Sequence, residues 1–235
     1  TALIYPPNTP DSMSYHMPRV MLWIQNQNVD FYPTSTTRQL YVAPFSEYVI
    51  LHLQLIVNGD RLANLVQWFS MIGSLIGVSL IAREFGGNTK SQIFSALFCA
   101  TIPMGILQST STQTDYVVSF WIVILVYFLL CYVRRGSPAY IYGFAVVLGL
   151  AILTKQTVYI FALPFCIWLL INVIKKNYYF AKKTYRLETV QIIFKSYFNR
   201  NINAKDIMNN ITERRKLNKQ LYSDNIQFLL RKEKL

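Results

Sequence analysis

Five apolar runs dominate the pattern of hydrophobic and polar positions along the chain. They cover residues 62–82, 93–108, 116–133, 140–153 and 158–174, and none of them contains a charged residue. An apolar run of about 18 residues is long enough to cross the hydrocarbon core of a bilayer as an α-helix. The pattern therefore predicts an all-α, polytopic membrane protein with about five spans over residues 59–175.

Basic residues indicate how these spans are oriented. They stand at alternate ends of the runs, as Arg83 and Lys90, Arg134 and Arg135, and Lys175 and Lys176. Because short cytoplasmic loops carry an excess of Lys and Arg, these ends are predicted to face the cytoplasm. Asp11, Asp115 and Lys155 then fall together on the extracytoplasmic side.

Residues 1–58 precede the spans and are predicted to form an extracytoplasmic loop with interfacial helices. A stripe at helical spacing consists of Met13, Met17, Val20, Met21 and Ile24. Thr9 and Pro10 suit the N-cap and first position of that helix, while Pro18 predicts a kink or a second helix. Residues 44–58 are apolar, but as a helix they reach only about 22 Å, short of a roughly 30 Å hydrocarbon core.

Composition supports the membrane class and describes the end of the chain. The sequence is 53% hydrophobic and only 14% charged, which excludes an ordinary soluble domain. Most Lys and Arg residues lie beyond residue 174, and the net charge is +12. We therefore expect residues 176–235 to be a basic cytoplasmic tail, poorly packed, with a possible amphipathic helix over 187–198. A basic tail beside spans favours the membrane surface over nucleic acid as partner.

Candidate chemistry is concentrated first in the outer loop. Asp11, Ser12, Tyr15, His16 and Arg19 lie within nine residues. On a continuous helix Asp11, Tyr15 and Arg19 would share one face, and Ser12, His16 and Arg19 an adjoining one. A carboxylate beside a basic group suits general-base chemistry on an acceptor hydroxyl. A solvated acid in a capped interfacial helix is the structural alternative.

Further candidates are Asp115 and Lys155 at the span ends and Glu47 and His52 in the short apolar run. Asp115 opens a span, where an acid also simply favours a helix N-terminus. Lys155 lies between apolar runs. An ionisable residue there either belongs to a functional site or is a lysine whose side chain extends to the membrane interface. His16 and His52 are too few to predict a metal site, so a divalent metal stays open. The sequence indicates no other cofactor.

Several phrases together resemble glycosyltransferase family 39, whose members have the membrane-embedded GT-C fold. They are PDSMSYHM, RLANLVQWFSMIGSLIGVSLIAREFGG, ATIPMGILQSTSTQTDYV and GLAILTK. The resemblance covers roughly residues 5–175 and implies a helical bundle that transfers a hexose or pentose from a polyprenyl-phosphate donor. The acceptor would be an extracytoplasmic glycan, lipid or protein, and the enzyme would lie in the cell membrane.

The resemblance also implies roles for individual residues. Asp11 matches the catalytic base of the first outer loop, Asp115 a second acid, and Lys155 a lysine near the donor phosphate. Many relatives carry Asp-Glu where this chain has Asp11-Ser12, so the acceptor class is left open. Arg19 and Arg38 could also neutralise the donor phosphate.

Two other functions remain as alternatives. In a transporter or flippase component, Asp115 and Lys155 would line a translocation path near mid-membrane, whereas here they stand at helix mouths. The chain is also shorter than a full family member, so a fragment or a non-catalytic truncated member is the second alternative. The enzyme hypothesis requires Asp11 and Asp115 to meet at one rim of the bundle.

Overall fold

A computed structural model describes residues 2–198 and the single positions 212, 213, 216 and 220, with side chains to residue 178 and at those four positions. In this described part, regular structure is helical throughout, which confirms the all-α prediction. A π-helical turn, Ser12–His16, precedes α1 Met17–Asn26, α2 Arg38–Tyr41, α3 Phe45–Val57, α4 Leu65–Glu84, α5 Thr89–Ala100, α6 Pro103–Gln108, α7 Asp115–Arg135, α8 Ala139–Thr154 and α9 Val158–Phe198.

Among the described residues, three helices are long and apolar enough to cross a membrane, so the chain is a multi-pass membrane protein. They are Leu65–Glu84, Asp115–Arg135 and Val158–Tyr178. The apolar helices α3 and α8 are shorter, and the 16 residues of α8 reach about 24 Å. The count of about five spans stays a prediction.

The predicted run over 93–108 is divided into α5 and α6. Pro103 stands at the first position of α6, and Ile102 before it has an extended backbone, with ψ of 114°. A residue that precedes proline is pushed out of the α region, so the helix stops at Ala100 rather than bending. The sequence allowed a kink or a stop here, and the structure shows a stop.

The chain divides into two compact units, Thr1–Leu170 and Ile171–Leu235. The first unit contains the outer loop and α4 to α8, together with the first turns of α9. In the second unit the backbone is helical as far as Phe198, so the helix expected over 187–198 is present. The predicted tail beyond Phe198 lies outside the described residues, apart from the four single positions.

The helices α4 and α7 run parallel, as hydrogen bonds at both ends show. Near the start of α4, the side-chain oxygen of Gln67 accepts hydrogen bonds from the backbone amides of Tyr116 and Val117. At the other end, Glu84 forms ion pairs with Arg134 and Arg135. The first of these ends is called the Asp115 end below, and the second the Arg134 end.

Helix α8 runs antiparallel to α7 and completes the main core. Arg135 donates a hydrogen bond to the Tyr140 hydroxyl at the Arg134 end, and Lys155 pairs with Asp115 at the other. The core side chains come from α7, α8 and the start of α9, and they are Val118, Leu125, Leu129, Phe144, Val147, Ala151, Val158 and Ala162.

The outer loop has a second apolar core, which differs from the predicted stripe. Its buried members are Met17, Val20, Trp23, Tyr32, Ile50, Leu51 and Ala63. Met17 and Val20 are buried as expected, but Met13 and Met21 are exposed and line a groove of about 630 Å³. Trp23 takes their place in the core, where it stacks on Tyr48 with ring centroids 5.1 Å apart.

Close packing of α4 against α7 depends on two glycines one helical turn apart. A Cβ on Gly73 would lie 2.5 Å from Cε2 of Phe120, and one on Gly77 would overlap Cγ1 of Val123. Small residues at this spacing let two membrane helices approach closely. The crossing sets the position of Asp115 at the start of α7.

Replacing Gly77 by Ala is therefore expected to destabilise the bundle. Val123 is β-branched and has little rotamer freedom in a helix, so the helices must separate, at a cost of about 1–3 kcal/mol. Thermal unfolding in detergent should show a lower Tm. Gly149→Ala is the matched control, since a Cβ there has no neighbour within 4 Å. An equal Tm for the two variants would contradict the predicted crossing.

Candidate active site

Asp115 and Lys155 form an ion pair at the Asp115 end. Lys155 Nζ lies 2.5 Å from Asp115 Oδ1, and the side chains are 30% and 40% exposed, respectively. Asp115 is the first residue of α7, where the positive end of the helix dipole favours a carboxylate. The two side chains are thus paired and open to a ligand.

Two glutamines fix the elements that carry this pair. Gln67, which is buried, holds the first amides of α7 and also donates a hydrogen bond to Gln108 O at 3.4 Å. Gln156 Nε2 donates to Tyr41 O at 3.2 Å, so the segment after α8 is tied to the outer loop. The outer loop therefore packs against the Asp115 end.

The helix that carries Asp11 begins as the sequence predicts. Thr9 Oγ1 accepts a hydrogen bond from the Ser12 amide at 3.4 Å and lies 2.5 Å from Ser12 Oγ. Thr9 is thus the N-cap, and Asp11 lies in the first turn, partly exposed.

The π-helical turn explains why the helix continues past Pro18. Proline has no amide hydrogen to donate to Ser14 O, four residues earlier. The Gln39 side-chain amide donates to Ser14 O instead, at 2.9 Å. The turn contains an extra residue, so the spacing of Asp11, Tyr15 and Arg19 is not that of a regular α-helix. Arg19 turns into the interior, while Tyr15 stays near Asp11.

Tyr15 connects the two carboxylates electrostatically. Burial raises the pKa of its hydroxyl to about 12, and the Asp11 carboxylate adds to this rise. Asp115 and Glu47 raise the same pKa further, whereas the Arg38 guanidinium lowers it. Both acids thus act on the Tyr15 hydroxyl, and α2, which carries Arg38 beside Tyr15, ends at Tyr41, which Gln156 ties to the Asp115 end. The surface with Asp11, Tyr15 and Asp115 is called the rim below.

Arg38 lies beside Tyr15. Its guanidinium carbon is 5.9 Å from the centroid of the Tyr15 ring, within reach of a cation–π interaction, and its side chain is exposed. An exposed guanidinium next to this rim is free to bind an anion. Arg38 was a candidate for donor-phosphate binding, and that role remains a prediction.

His16, Arg19 and Glu47 form a buried cluster beneath the rim. His16 Nδ1 lies 2.6 Å from Glu47 Oε1, and Arg19 Nη1 lies 3.6 Å from the same oxygen. Arg19 is 1% exposed and Glu47 is fully buried. The structure therefore separates Arg19 from the exposed cations Arg38 and Lys155.

His52 lies apart from these groups. Its side chain is exposed, and its Nδ1 is 2.6 Å from the backbone oxygen of Tyr48 within α3. Glu47 and Gln54 occupy the buried face of the same helix, as their spacing predicts. Among the described residues no group of three His, Cys, Asp or Glu side chains could hold a metal ion.

Gln39 and Gln67 were not among the candidates drawn from the sequence. Gln67 carried a usable signal, because it is an amide within a predicted span and a polar group there needs a partner. Gln39 carried none, since it stands in a polar loop among other polar residues. Both glutamines position the site, although neither carries a charge.

Comparison with family models gives a match over residues 42–195, to the dolichyl-phosphate-mannose-protein mannosyltransferase model. Comparison with curated proteins and with solved structures finds no match. The matched range contains Asp115, Lys155 and Glu47, while Asp11 and Arg38 precede it. Since the match covers well over half of the chain, the protein belongs to the dolichyl-phosphate-mannose-protein mannosyltransferase family, whose members use lipid-phosphate sugar donors.

Proposed function

We propose that this protein transfers a sugar from a polyprenyl-phosphate donor to an acceptor hydroxyl on the extracytoplasmic face of the cell membrane. The observation that carries the proposal is the partly exposed ion pair of Asp115 and Lys155, next to which Gln156 ties the outer loop. Carboxylates and cations at one membrane-surface site match the needs of a reaction between a hydroxyl and a phosphate ester. The family match supports the same class of reaction.

In the proposed reaction Asp11 is the general base. The acceptor hydroxyl gives its proton to the Asp11 carboxylate as its oxygen forms a bond to the anomeric carbon of the donor sugar. The bond between that carbon and the phosphate oxygen breaks, and the polyprenyl phosphate leaves with the electron pair. Attack from the face opposite the phosphate inverts the anomeric configuration, which is the outcome that the family resemblance implies.

Lys155 and Arg38 are proposed to stabilise the departing phosphate. Negative charge grows on the phosphate as the bond breaks, and a fixed cation in a partly dry site lowers the energy of that state. Both side chains have exposed surface at the rim. Asp115 holds the Lys155 ammonium in place until a donor phosphate arrives.

Tyr15 is proposed to act as a neutral hydrogen-bond donor. Its raised pKa keeps the hydroxyl protonated throughout the neutral range. The hydroxyl therefore cannot replace Asp11 as the base, but it can donate to a sugar or phosphate oxygen.

A transfer assay tests the proposal. The full-length protein in proteoliposomes, supplied with dolichyl-phosphate mannose carrying radiolabelled mannose and with a membrane extract as acceptor source, is expected to move label into a product. Movement of intact labelled donor across the bilayer without a product would instead indicate a flippase. Binding of the donor with neither transfer nor movement would indicate a non-catalytic member, and either result would overturn the proposal.

A further inference from the structure

The buried cluster of His16, Arg19 and Glu47 joins three separate parts of the outer loop. His16 and Arg19 flank the junction between the π-helical turn and α1, and Glu47 lies in the first turn of α3. His16 and Arg19 contact the same oxygen, Oε1 of Glu47. This cluster is the ionic core of the loop that carries Asp11.

Arg19 extends the cluster to α2, the short helix that carries Arg38. Its Nε donates a hydrogen bond to the Gln39 backbone oxygen, and its Nη2 donates to the Arg38 backbone oxygen at 3.2 Å. The planar guanidinium thus holds two consecutive carbonyls of α2 and one carboxylate of α3. A guanidinium can make these contacts together because its N–H donors have a fixed planar geometry, which a lysine ammonium lacks.

Gln39 completes the connection from the opposite direction. Its side-chain amide donates to Ser14 O, in the π-helical turn next to Tyr15. Its side-chain oxygen accepts from Tyr32 and Thr34, at 3.2 and 3.1 Å, so the amide cannot rotate freely. The distance between α2 and the turn that carries Tyr15 is therefore fixed by two independent sets of hydrogen bonds.

The consequence at the rim is the placement of Arg38 over Tyr15. The 5.9 Å separation of the Arg38 guanidinium from the Tyr15 ring depends on where the backbone of α2 lies. Arg19 holds that backbone through the carbonyl of Arg38 itself. The His16 ring packs next to the Tyr15 ring, with the two ring centroids 4.1 Å apart.

We infer that Arg19, Glu47 and His16 are positioning residues, which hold Arg38 and Tyr15 in register with Asp11 and do not contact the donor phosphate. This inference rests on the proposed function for its catalytic consequence. Arg19 is 1% exposed and its guanidinium is directed at protein atoms, so a phosphate has no access to it. The donor phosphate is instead proposed to bind the exposed cations at the rim, Arg38 and Lys155.

Arg19→Lys is the variant that tests this inference. Lysine keeps the buried positive charge opposite Glu47, so the protein should fold, but it lacks the fork that holds both carbonyls of α2. We expect kcat to fall at least tenfold, while KM for dolichyl-phosphate mannose changes less than threefold. Arg38→Gln is the comparison variant and is expected to lower kcat by a similar factor, because Arg19 is inferred to act through Arg38.

Two further measurements separate positioning from simple loss of folding and from failure of the proposed function. Amide hydrogen exchange over residues 36–41 should become faster in Arg19→Lys and stay unchanged in α7, whether or not transfer activity is detected. Glu47→Gln, which leaves Arg19 without its anion, should reproduce this local change.

Two outcomes would overturn the inference. A rise in KM of at least tenfold for Arg19→Lys, with kcat unchanged, would show that Arg19 binds the donor. Unchanged exchange over residues 36–41 in a folded Arg19→Lys protein would show that Arg19 does not hold α2. If the wild-type protein transfers no sugar, the proposed function fails, and the exchange measurement still decides the positioning role.

Discussion

Replacing Asp11 by Asn is expected to lower kcat for sugar transfer by about 10²–10⁴-fold, the usual contribution of a general base. Asparagine keeps the shape of the side chain and its place in the first helical turn, but it cannot take a proton from the acceptor hydroxyl. The donor does not depend on Asp11, so its KM should change little. Steady-state kinetics with dolichyl-phosphate mannose in proteoliposomes would measure both constants.

Asp30→Asn is the matched control for this variant. Asp30 is an exposed acid of the same outer loop; its carboxylate accepts a hydrogen bond from the Asn28 side chain, and its backbone amide donates to Asn28 Oδ1. Removing its charge alters the net charge of the loop by the same amount without touching the rim. The control should retain activity, and a fall in kcat of the same size in both variants would show a general electrostatic effect instead of base catalysis. Wild-type turnover by Asp11→Asn would remove Asp11 from the mechanism.

The long helices could be predicted because a membrane imposes one strong rule on them. Backbone polar groups cannot remain unpaired in hydrocarbon, so an apolar run of sufficient length forms a helix whatever its neighbours are. Helices α4 and α7 begin and end within a few residues of the predicted runs at 62–82 and 116–133. The stop before Pro103 follows from an equally local rule about the residue that precedes proline.

The continuation of α9 beyond residue 174 was missed for a related reason. The prediction ended that helix at Lys175 and Lys176 because they end the apolar run, but lysine is a good helix former and no proline or glycine follows. Hydrophobicity locates the membrane part of a helix and not its end. In the described residues the helical backbone continues to Phe198.

The outer loop shows where sequence reasoning reached its limit. Thr9 could be identified as an N-cap because capping is a local interaction, but Ser14 O in the π-helical turn accepts a hydrogen bond from Gln39, which comes 25 residues later. Assuming a regular helix placed Arg19 at the rim with Asp11. Arg19 is instead buried beside Glu47, a partner distant in the sequence that spacing alone cannot show.

Lys155 is the second residue whose replacement should have a large effect. Lys155→Met removes the ammonium that is proposed to meet the donor phosphate, and loss of such electrostatic stabilisation is expected to lower kcat/KM by about 10²–10³-fold. Kinetics with dolichyl-phosphate mannose would measure this ratio. Lys90→Met is the matched control, because Lys90 is an exposed lysine in the first turn of α5 with no assigned role. Activity equal to wild type in Lys155→Met would contradict the proposed role.

The double variant Lys155→Met with Asp115→Asn separates two explanations for such a loss. If Lys155 only neutralises Asp115, removing both charges together should restore most of the activity, since no unpaired carboxylate remains at the start of α7. If Lys155 serves the donor phosphate, the double variant should be as inactive as Lys155→Met. We expect the second result, because the pair is 30–40% exposed and a charged pair so accessible to water contributes little to stability by itself. The Lys155 ammonium is therefore expected to contribute more to the binding of a phosphate than to the stability of the folded protein.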